Sequence, residues 1–216
     1  MLVGMRMSSP VITVAPEMSV VEVLSLMKNR HIRRTPVVKD GVLVGIVSDK
    51  DLLNASPPSS TSLSVWEMNY LMSKITVREV MTRDVLSVTE NTTIEDAAKI
   101  MVDKKLGGLP VLRGAELVGI ITETDLFKVY LEMTGAREPG VRVTCLIPEQ
   151  KGQLARLTQA IAIEGGNFVA FGQYTGKDHP YDRLLTFKVA NISEEAVKRV
   201  IDPYILKIID IRVSGE

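Results

Sequence analysis

Residues 7–52, moved forward by 74 positions, fall on the chain's own sequence again without a gap. Met7 lands on Met81, Pro36-Val37 on Pro110-Val111, Leu43-Val44-Gly45-Ile46 on Leu117-Val118-Gly119-Ile120, and Asp51-Leu52 on Asp125-Leu126. A repeated unit usually buries its open face against its copy. Two copies therefore predict one pseudo-twofold module in which the short sheets share a core, with a pair of related clefts at the seam. A paired ligand site suits that arrangement better than a single catalytic centre.

Each copy has the same internal grammar. Val11-Ile12-Thr13-Val14 and Val85-Leu86-Ser87-Val88 are short strand-like runs. Helices then open at Ser19-Val20-Val21-Glu22, a capping box, and at Thr93-Ile94-Glu95-Asp96, its acidic variant. Val20, Val23, Leu24 and Met27, and their mates Ile94, Ala97, Ala98 and Met101, have the spacing of one helical face. Pro36-Val37-Val38, the turn Lys39-Asp40-Gly41 and Leu43-Val44-Gly45-Ile46-Val47 predict a hairpin, with Arg113-Gly114 in the matching turn. A second helix opens at Ser48 or Thr122, so the unit reads β-α-β-β-α. Between the copies, the Ser/Pro-rich run Asn54–Thr61 marks a loop. It leads to a capping box at Ser64-Val65-Trp66-Glu67 and a linker helix, which the only tryptophan is expected to pack onto the module.

A third pattern starts near Val141, where Val141 to Ile147 alternates with period two. A turn at Pro148–Gly152, a helix carrying Leu154, Leu157 and Ile161, and a stop at Gly165-Gly166 follow. Asn167–Phe171 and Arg183–Val189 read as strands, Ser193-Glu194-Glu195-Ala196 opens a helix, and Lys207–Val213 closes as a strand. The order β-α-β-β-α-β is the ferredoxin-like one. The expected divisions are a first motif over 1–60, a linker helix over 61–76, a second motif over 77–135 and the third domain over 140–216; the fold class is α+β.

Composition narrows the function. Lys plus Arg and Asp plus Glu both number 26, so no net field favours nucleic acid or an anionic membrane as partner. With one cysteine, Cys145, there is no internal disulfide, and with only His31 and His179 beside it a Cys/His zinc site is not expected. Residues 1–20 are broken up by Gly4, Arg6, Pro10, Pro16 and Glu17 and carry no long apolar stretch, so a cytoplasmic protein is expected. There is no P-loop, no G-x-S-x-G and no Cys/His cluster, which argues against an enzyme. His179, in Gly176–Pro180, is expected in a solvent-facing hairpin loop.

The motifs with chemical content are Gly45-Ile46-Val47-Ser48-Asp49-Lys50-Asp51 and Gly119-Ile120-Ile121-Thr122-Glu123-Thr124-Asp125. A hydroxyl residue with an acidic residue three positions on is a helix cap that needs no ligand. The same geometry suits an adenosine-type ligand: a hydroxyl and free N–H groups for phosphate, and a carboxylate for a ribose diol. The glycine would let the backbone approach a ring. Both readings stay open, although duplication beside equivalent Pro-Val strands favours the second.

Residues 7–53 and 81–127 resemble a tandem pair of CBS motifs, a Bateman module, through the Pro-Val strand start and the Leu-h-Gly-h-h-[Ser/Thr]-x-x-Asp run. The resemblance implies a regulatory ligand such as AMP, ADP, ATP or S-adenosylmethionine, and no cofactor. Carried over by position, one cleft comprises Thr13, Val14, Ala15, Arg33, Arg34, Thr35, Pro36, Ser48, Lys50 and Asp51. The other comprises Ser87, Val88, Thr89, Gly108, Leu109, Pro110, Thr122, Thr124 and Asp125. Arg33-Arg34 aligns with Gly107-Gly108, which gives the Asp51 cleft guanidinium groups suited to phosphate and leaves the other cleft with Lys104 or Lys105. The third segment resembles an ACT domain through Pro148, Gly152, Leu154, Ala155 and Leu157, then Gly166-Asn167-Phe168. That likeness implies an amino-acid site at Gly152, Gln153, Leu154 and Asn167, or else a dimerisation unit. The order of the three segments resembles the acetoin-utilisation AcuB-type family.

The expectation is thus a non-catalytic sensor that binds adenine nucleotide, forms a homodimer and acts on an unidentified regulated protein. The alternatives are a scaffold with empty clefts and a regulatory subunit of an enzyme in acetoin metabolism.

Overall fold

The computed structural model describes residues 1–55, 65–175 and 182–214. The chain divides into two compact units, Met1–Leu126 and Phe127–Glu216. The expected cap at Ser64, the loop over 56–61 and His179 lie outside the described residues.

In the first unit, the first copy comprises α1 (Val20–Arg30), β1 (Arg34–Lys39), β2 (Val42–Ser48) and α2 (Asp49–Asn54). The linker supplies α3 (Val65–Lys74) and α4 (Val77–Val80). The second copy comprises β3 (Val88–Thr89), α5 (Ile94–Lys104), β4 (Gly108–Arg113), β5 (Glu116–Thr122) and α6 (Glu123–Met133). α1 starts on the expected capping box: the Ser19 N–H donates to Glu22 Oε2 at 2.8 Å and the Glu22 N–H donates to Ser19 Oγ. Thr93 caps α5 through the Asp96 N–H at 3.0 Å. The helices end alike, on left-handed His31 (φ 53°) and Lys105 (φ 55°), with the Ile32 and Leu106 N–H groups returning to the Met27 and Met101 carbonyls. β1 pairs with β2, and β4 with β5, as antiparallel hairpins in the same register, Val37 opposite Gly45 and Val111 opposite Gly119.

The expected lead strands are shorter than their sequence suggests. Val14 makes a single parallel bridge to Val37, and β3 holds two residues beside β4. The next rung of the parallel ladder would need an N–H from Pro36, which proline lacks; the Thr35 hydroxyl donates to the Ile12 carbonyl instead, at 2.5 Å. Pro110 imposes the same limit in the second copy.

The residues just before those leads cross between copies. Ser8 exchanges backbone hydrogen bonds with Ile120 (2.9 and 3.1 Å), and Thr82 with Ile46 (2.9 and 2.9 Å). The thioether beside each crossing packs on a glycine: a Cβ on Gly45 would lie 2.5 Å from Met81 Sδ, and one on Gly119 2.5 Å from Met7 Sδ. The expected joint module is therefore one compact unit linked by exchanged segments, but its hydrogen-bonded sheets stay separate. The first copy has its own core of Val14, Val20, Val23, Met27, Val37, Val47 and Leu52, to which the linker adds Met72 and Val77. Burying each such aliphatic side chain contributes roughly 1.5–3 kcal/mol. Trp66 does not pack on this core, being 86% exposed. Met72 faces inward instead, and Tyr70, one turn on from Trp66, is exposed with it.

The second unit carries β6 (Gly140–Pro148), α7 (Gln153–Ile163), β7 (Asn167–Thr175), β8 (Asp182–Ala190), α8 (Glu194–Ile201) and β9 (Lys207–Ser214), in that order. The strands form one antiparallel sheet, β7-β8-β6-β9. The alternation seen in sequence puts Val141, Val143, Cys145 and Ile147 in one core with Leu185, Phe187, Val189, Leu157, Ile161, Val197 and Ile201. Burial pushes the Cys145 thiol up to about 12. The opposite face holds Lys188, 3% exposed, whose Nζ donates to the carbonyls of Gly135 (2.7 Å) and Glu138 (2.8 Å). The compact second unit takes in the end of α6 from Phe127 on, ahead of its first strand at Gly140.

Candidate ligand-binding cleft

Both Gly-h-h-[Ser/Thr]-x-x-Asp motifs fold as strand end, cap and helix start. In the first copy Ser48 N and Oγ donate to Asp51 Oδ2 (2.9 and 2.6 Å), and the Asp51 N–H donates back to Ser48 Oγ (3.2 Å). In the second, Thr122 N and Oγ1 donate to Asp125 Oδ2 (3.0 and 2.7 Å), with Asp125 N returning at 3.4 Å. The capping reading of these residues is therefore realised in both copies. At Asp51 it engages one carboxylate oxygen, and among the described residues no hydrogen bond reaches Oδ1. The helix starts also bond to the preceding strand starts: Asp49 N to the Arg33 carbonyl (2.9 Å) and Glu123 N to the Gly107 carbonyl (3.2 Å).

Beside the first motif lies a cavity of about 470 Å³. One wall comes from the first copy, through Arg34, Ser48 and Asp51; the other comes from the second, through Thr82–Leu86 except Arg83, Lys104–Gly108 and Pro110. The crossing accounts for part of the mixture: Thr82 of the second copy pairs with Ile46 of the first, and both line the cavity with Asp84, Val85 and Leu86. The motif glycines serve this crossing, since Gly45 and Gly119 make room for a methionine of the other copy. The volume is within the range of small-molecule sites.

The charge in this cleft centres on Arg34. Its side chain lies across the second copy's strand start, where a Cβ on Gly107 would stand 2.0 Å from Nη2 and one on Gly108 3.0 Å from Cδ. Burial lowers the pKa of the guanidinium; Glu123 opposes that, Arg33 adds to it, and Asp49 and Asp51 oppose it. Among the described residues no hydrogen bond or salt bridge reaches the Arg34 side chain.

Residues 3–57 and 77–132, together just over half of the chain, match the CBS domain family. The chain belongs to that family. The CBS domain-containing protein YhcV of Bacillus subtilis is 31% identical over 120 residues, 56% of this chain and 79% of that one. A Vibrio cholerae protein named as an acetoin utilization protein (AcuB) has a similar structure, with 30% identity and a TM-score of 0.53 over 64% of this chain and 96% of that one. The CBS domain pair of protein MJ0100, solved in complex with 5'-methylthioadenosine and S-adenosyl-L-methionine, is 27% identical, with a TM-score of 0.51 over 60% of this chain and 95% of that one.

This cavity brings together Arg34, Ser48, Asp51, Gly108 and Pro110 from the residues expected to bind ligand, and so draws on both expected clefts. Arg33 and Lys50 are exposed and do not line this cavity. Thr13, Ala15, Ser87, Thr89 and Thr124 are exposed, whereas Val14, Thr35, Pro36, Val88 and Leu109 are buried in the module. Asp125 is 6% exposed. Thr82, Asp84, Val85, Leu86, Leu106 and Gly107 line the cavity without having been expected to bind ligand, and so do Lys104 and Lys105, which were expected beside the other cleft. Their cue was the repeat itself, because Thr82 is the mate of Ser8 and both make the same crossing.

In the second unit, Gly152 is exposed at φ +77° and starts α7, and Asn167 is exposed. Leu154 packs against the core. The Gln153 amide is engaged on both sides: Nε2 donates to the Tyr204 carbonyl, and Oε1 accepts from Arg156 Nη2 at 2.9 Å. No described helix is long and apolar enough to cross a membrane.

Proposed function

We propose that this CBS pair is a non-catalytic sensor that binds an adenosine-containing ligand, AMP, ADP, ATP or S-adenosylmethionine, in the cleft between Asp51 and Gly107-Gly108. The observation that carries this reading is the cavity of about 470 Å³ walled by both copies, with the Asp51 carboxylate on one side and Pro110 on the other. The adenosyl ligands bound by the MJ0100 pair support the class. In this reading the Asp51 Oδ1 atom accepts from a ribose diol while Oδ2 keeps the cap. Occupancy would be passed on through a homodimer to a regulated protein, and a cytoplasmic location suits that role. The second unit is proposed as an ACT-type, ferredoxin-like domain, supported by its element and strand order. The engaged Gln153 amide favours a structural role for that residue over amino-acid binding there.

Calorimetric titration of the full chain with the four ligands tests the reading. At least one should bind, and Asp51→Ala should weaken it by about 1–3 kcal/mol, the usual cost of removing a charged hydrogen-bond partner. A protein that takes up none of the four leaves the scaffold reading in its place. Thermal unfolding gives a parallel check, since a ligand at ~100 times its dissociation constant adds roughly 2.7 kcal/mol of stability.

A further inference from the structure

The cleft differs from a generic adenosine pocket at one dipeptide. Where the first copy has Arg33-Arg34, the second has Gly107-Gly108, and the Arg34 side chain occupies the space those glycines leave. A Cβ on Gly107 would come within 2.0 Å of Nη2, 2.7 Å of Cζ and 2.8 Å of Nη1. No side chain fits there unless the guanidinium leaves, and the guanidinium cannot take this position over a bulkier residue. The group so held is a planar five-donor cation with no partner for its donors among the described residues. The cavity wall it joins also carries Lys104 and Lys105. The carboxylates that line the cavity are Asp51, one oxygen of which caps its helix, and Asp84, while Glu123 and Asp49 also act on the guanidinium. Arg34, half-buried and with no hydrogen-bond partner for its donors among the described residues, favours an anionic group on whatever fills the cleft.

We propose that Gly107-Gly108 is a seat that holds the first copy's Arg34 over the cleft as an anion-binding group, so that the site selects phosphorylated adenosine ligands over uncharged or cationic ones. The inference rests on the adenosine-binding reading above and adds to it the charge class of the ligand and the residue that sets it. The device is one-sided. The mates of the seat are Arg33 and Arg34 themselves, and the mate of Arg34 is a glycine, so the pseudo-twofold cannot repeat it.

The test uses the full chain, with ATP and the uncharged 5'-methylthioadenosine as probes in calorimetry. Arg34→Ala and Gly107→Ala should each weaken ATP by on the order of tenfold or more, the range for a lost charged hydrogen bond, and should change 5'-methylthioadenosine by less than about twofold. The double variant should be no weaker than either single one, because both act through one group. Equal weakening of the two probes would overturn the anion assignment, and so would a wild-type protein that binds 5'-methylthioadenosine but not ATP; adenosine binding would stand in both cases. Gly107→Ala binding ATP as the wild type does would overturn the seat. A wild-type protein that binds neither probe overturns this proposal, and the reading beneath it falls only if AMP, ADP and S-adenosylmethionine are refused as well. If Gly107→Ala fails to fold, Arg34→Gln, which keeps size but not charge, decides the anion assignment, and Gly108→Ala, whose Cβ would meet Arg34 Cδ at 3.0 Å, decides the seat.

Discussion

The two CBS copies agree down to uncommon backbone details and differ sharply in charge at one dipeptide. Both end their first helix on a left-handed residue that is not glycine, His31 and Lys105, and both pack a methionine of the other copy on the glycine of the hairpin. Both cap the last helix with a hydroxyl and an aspartate. At 33–34 and 107–108 they differ in charge beside the cleft, arginines against glycines. Packing and capping thus enforce the symmetry of the backbone, while the place where the copies face each other is free to diverge. Symmetry supplies the cleft, and its loss supplies the charge.

Four experiments break or sharpen that comparison, beginning with the core. Met27 and Met101 are mates and both nearly fully buried, so Met27→Ala and Met101→Ala should each cost about 2–5 kcal/mol in urea unfolding. Costs that fall far apart would mean the copies do not bear equal shares of the module. At the crossings, Gly45→Val and Gly119→Val should each cost about 1–3 kcal/mol by overpacking. Adding Met81→Ala to Gly45→Val should recover part of that loss, and a double-mutant cycle showing no coupling would mean that Gly45 is not there to make room for the methionine. At the caps, Ser48→Ala and Thr122→Ala should each cost about 1 kcal/mol. Thr122→Ala should be the costlier, because Asp125 is more deeply buried than Asp51 and its carboxylate loses a donor out of reach of water. The reverse order, read from thermal melts, would show that burial does not separate the two. Last, Trp66→Ala should leave stability within about 0.5 kcal/mol, as for other exposed positions; a larger loss would place the indole against a surface of the folded protein.

What the sequence made legible was local or repeated. The hairpins follow from alternating apolar runs around Lys39-Asp40-Gly41 and Arg113-Gly114, and the helix starts follow from Ser19, Ser48 and Thr93, because these signals act over a few residues. The order of the second unit was readable for the same reason: Val141 to Ile147 alternates cleanly. Three features were not. The lead strands are cut short because Pro36 and Pro110 remove a ladder donor on the neighbouring strand, an effect of pairing rather than of the lead's own residues. Trp66 points outward because Met72 holds the inner face of its helix, and amphipathicity alone leaves open which apolar stripe wins. The regrouping of the cleft depends on the crossing at Ser8 and Thr82, a contact between residues 112 and 36 positions apart that no local pattern encodes. Arg34 was singled out as a phosphate group from its charge, but its seat on Gly107 needed the fold.

The crossing also means that the repeat written in the sequence is not the unit that opens. The Ser8 amide is held by Ile120 and the Thr82 amide by Ile46. A fluctuation that loosens one hairpin therefore exposes a backbone amide that belongs, by sequence, to the other copy. Native proteins release amides to solvent in cooperative blocks, and in this module those blocks follow the hairpins across the seam. In hydrogen exchange Ser8 should keep time with Ile120 and Thr82 with Ile46, so that each copy reports on its neighbour's opening.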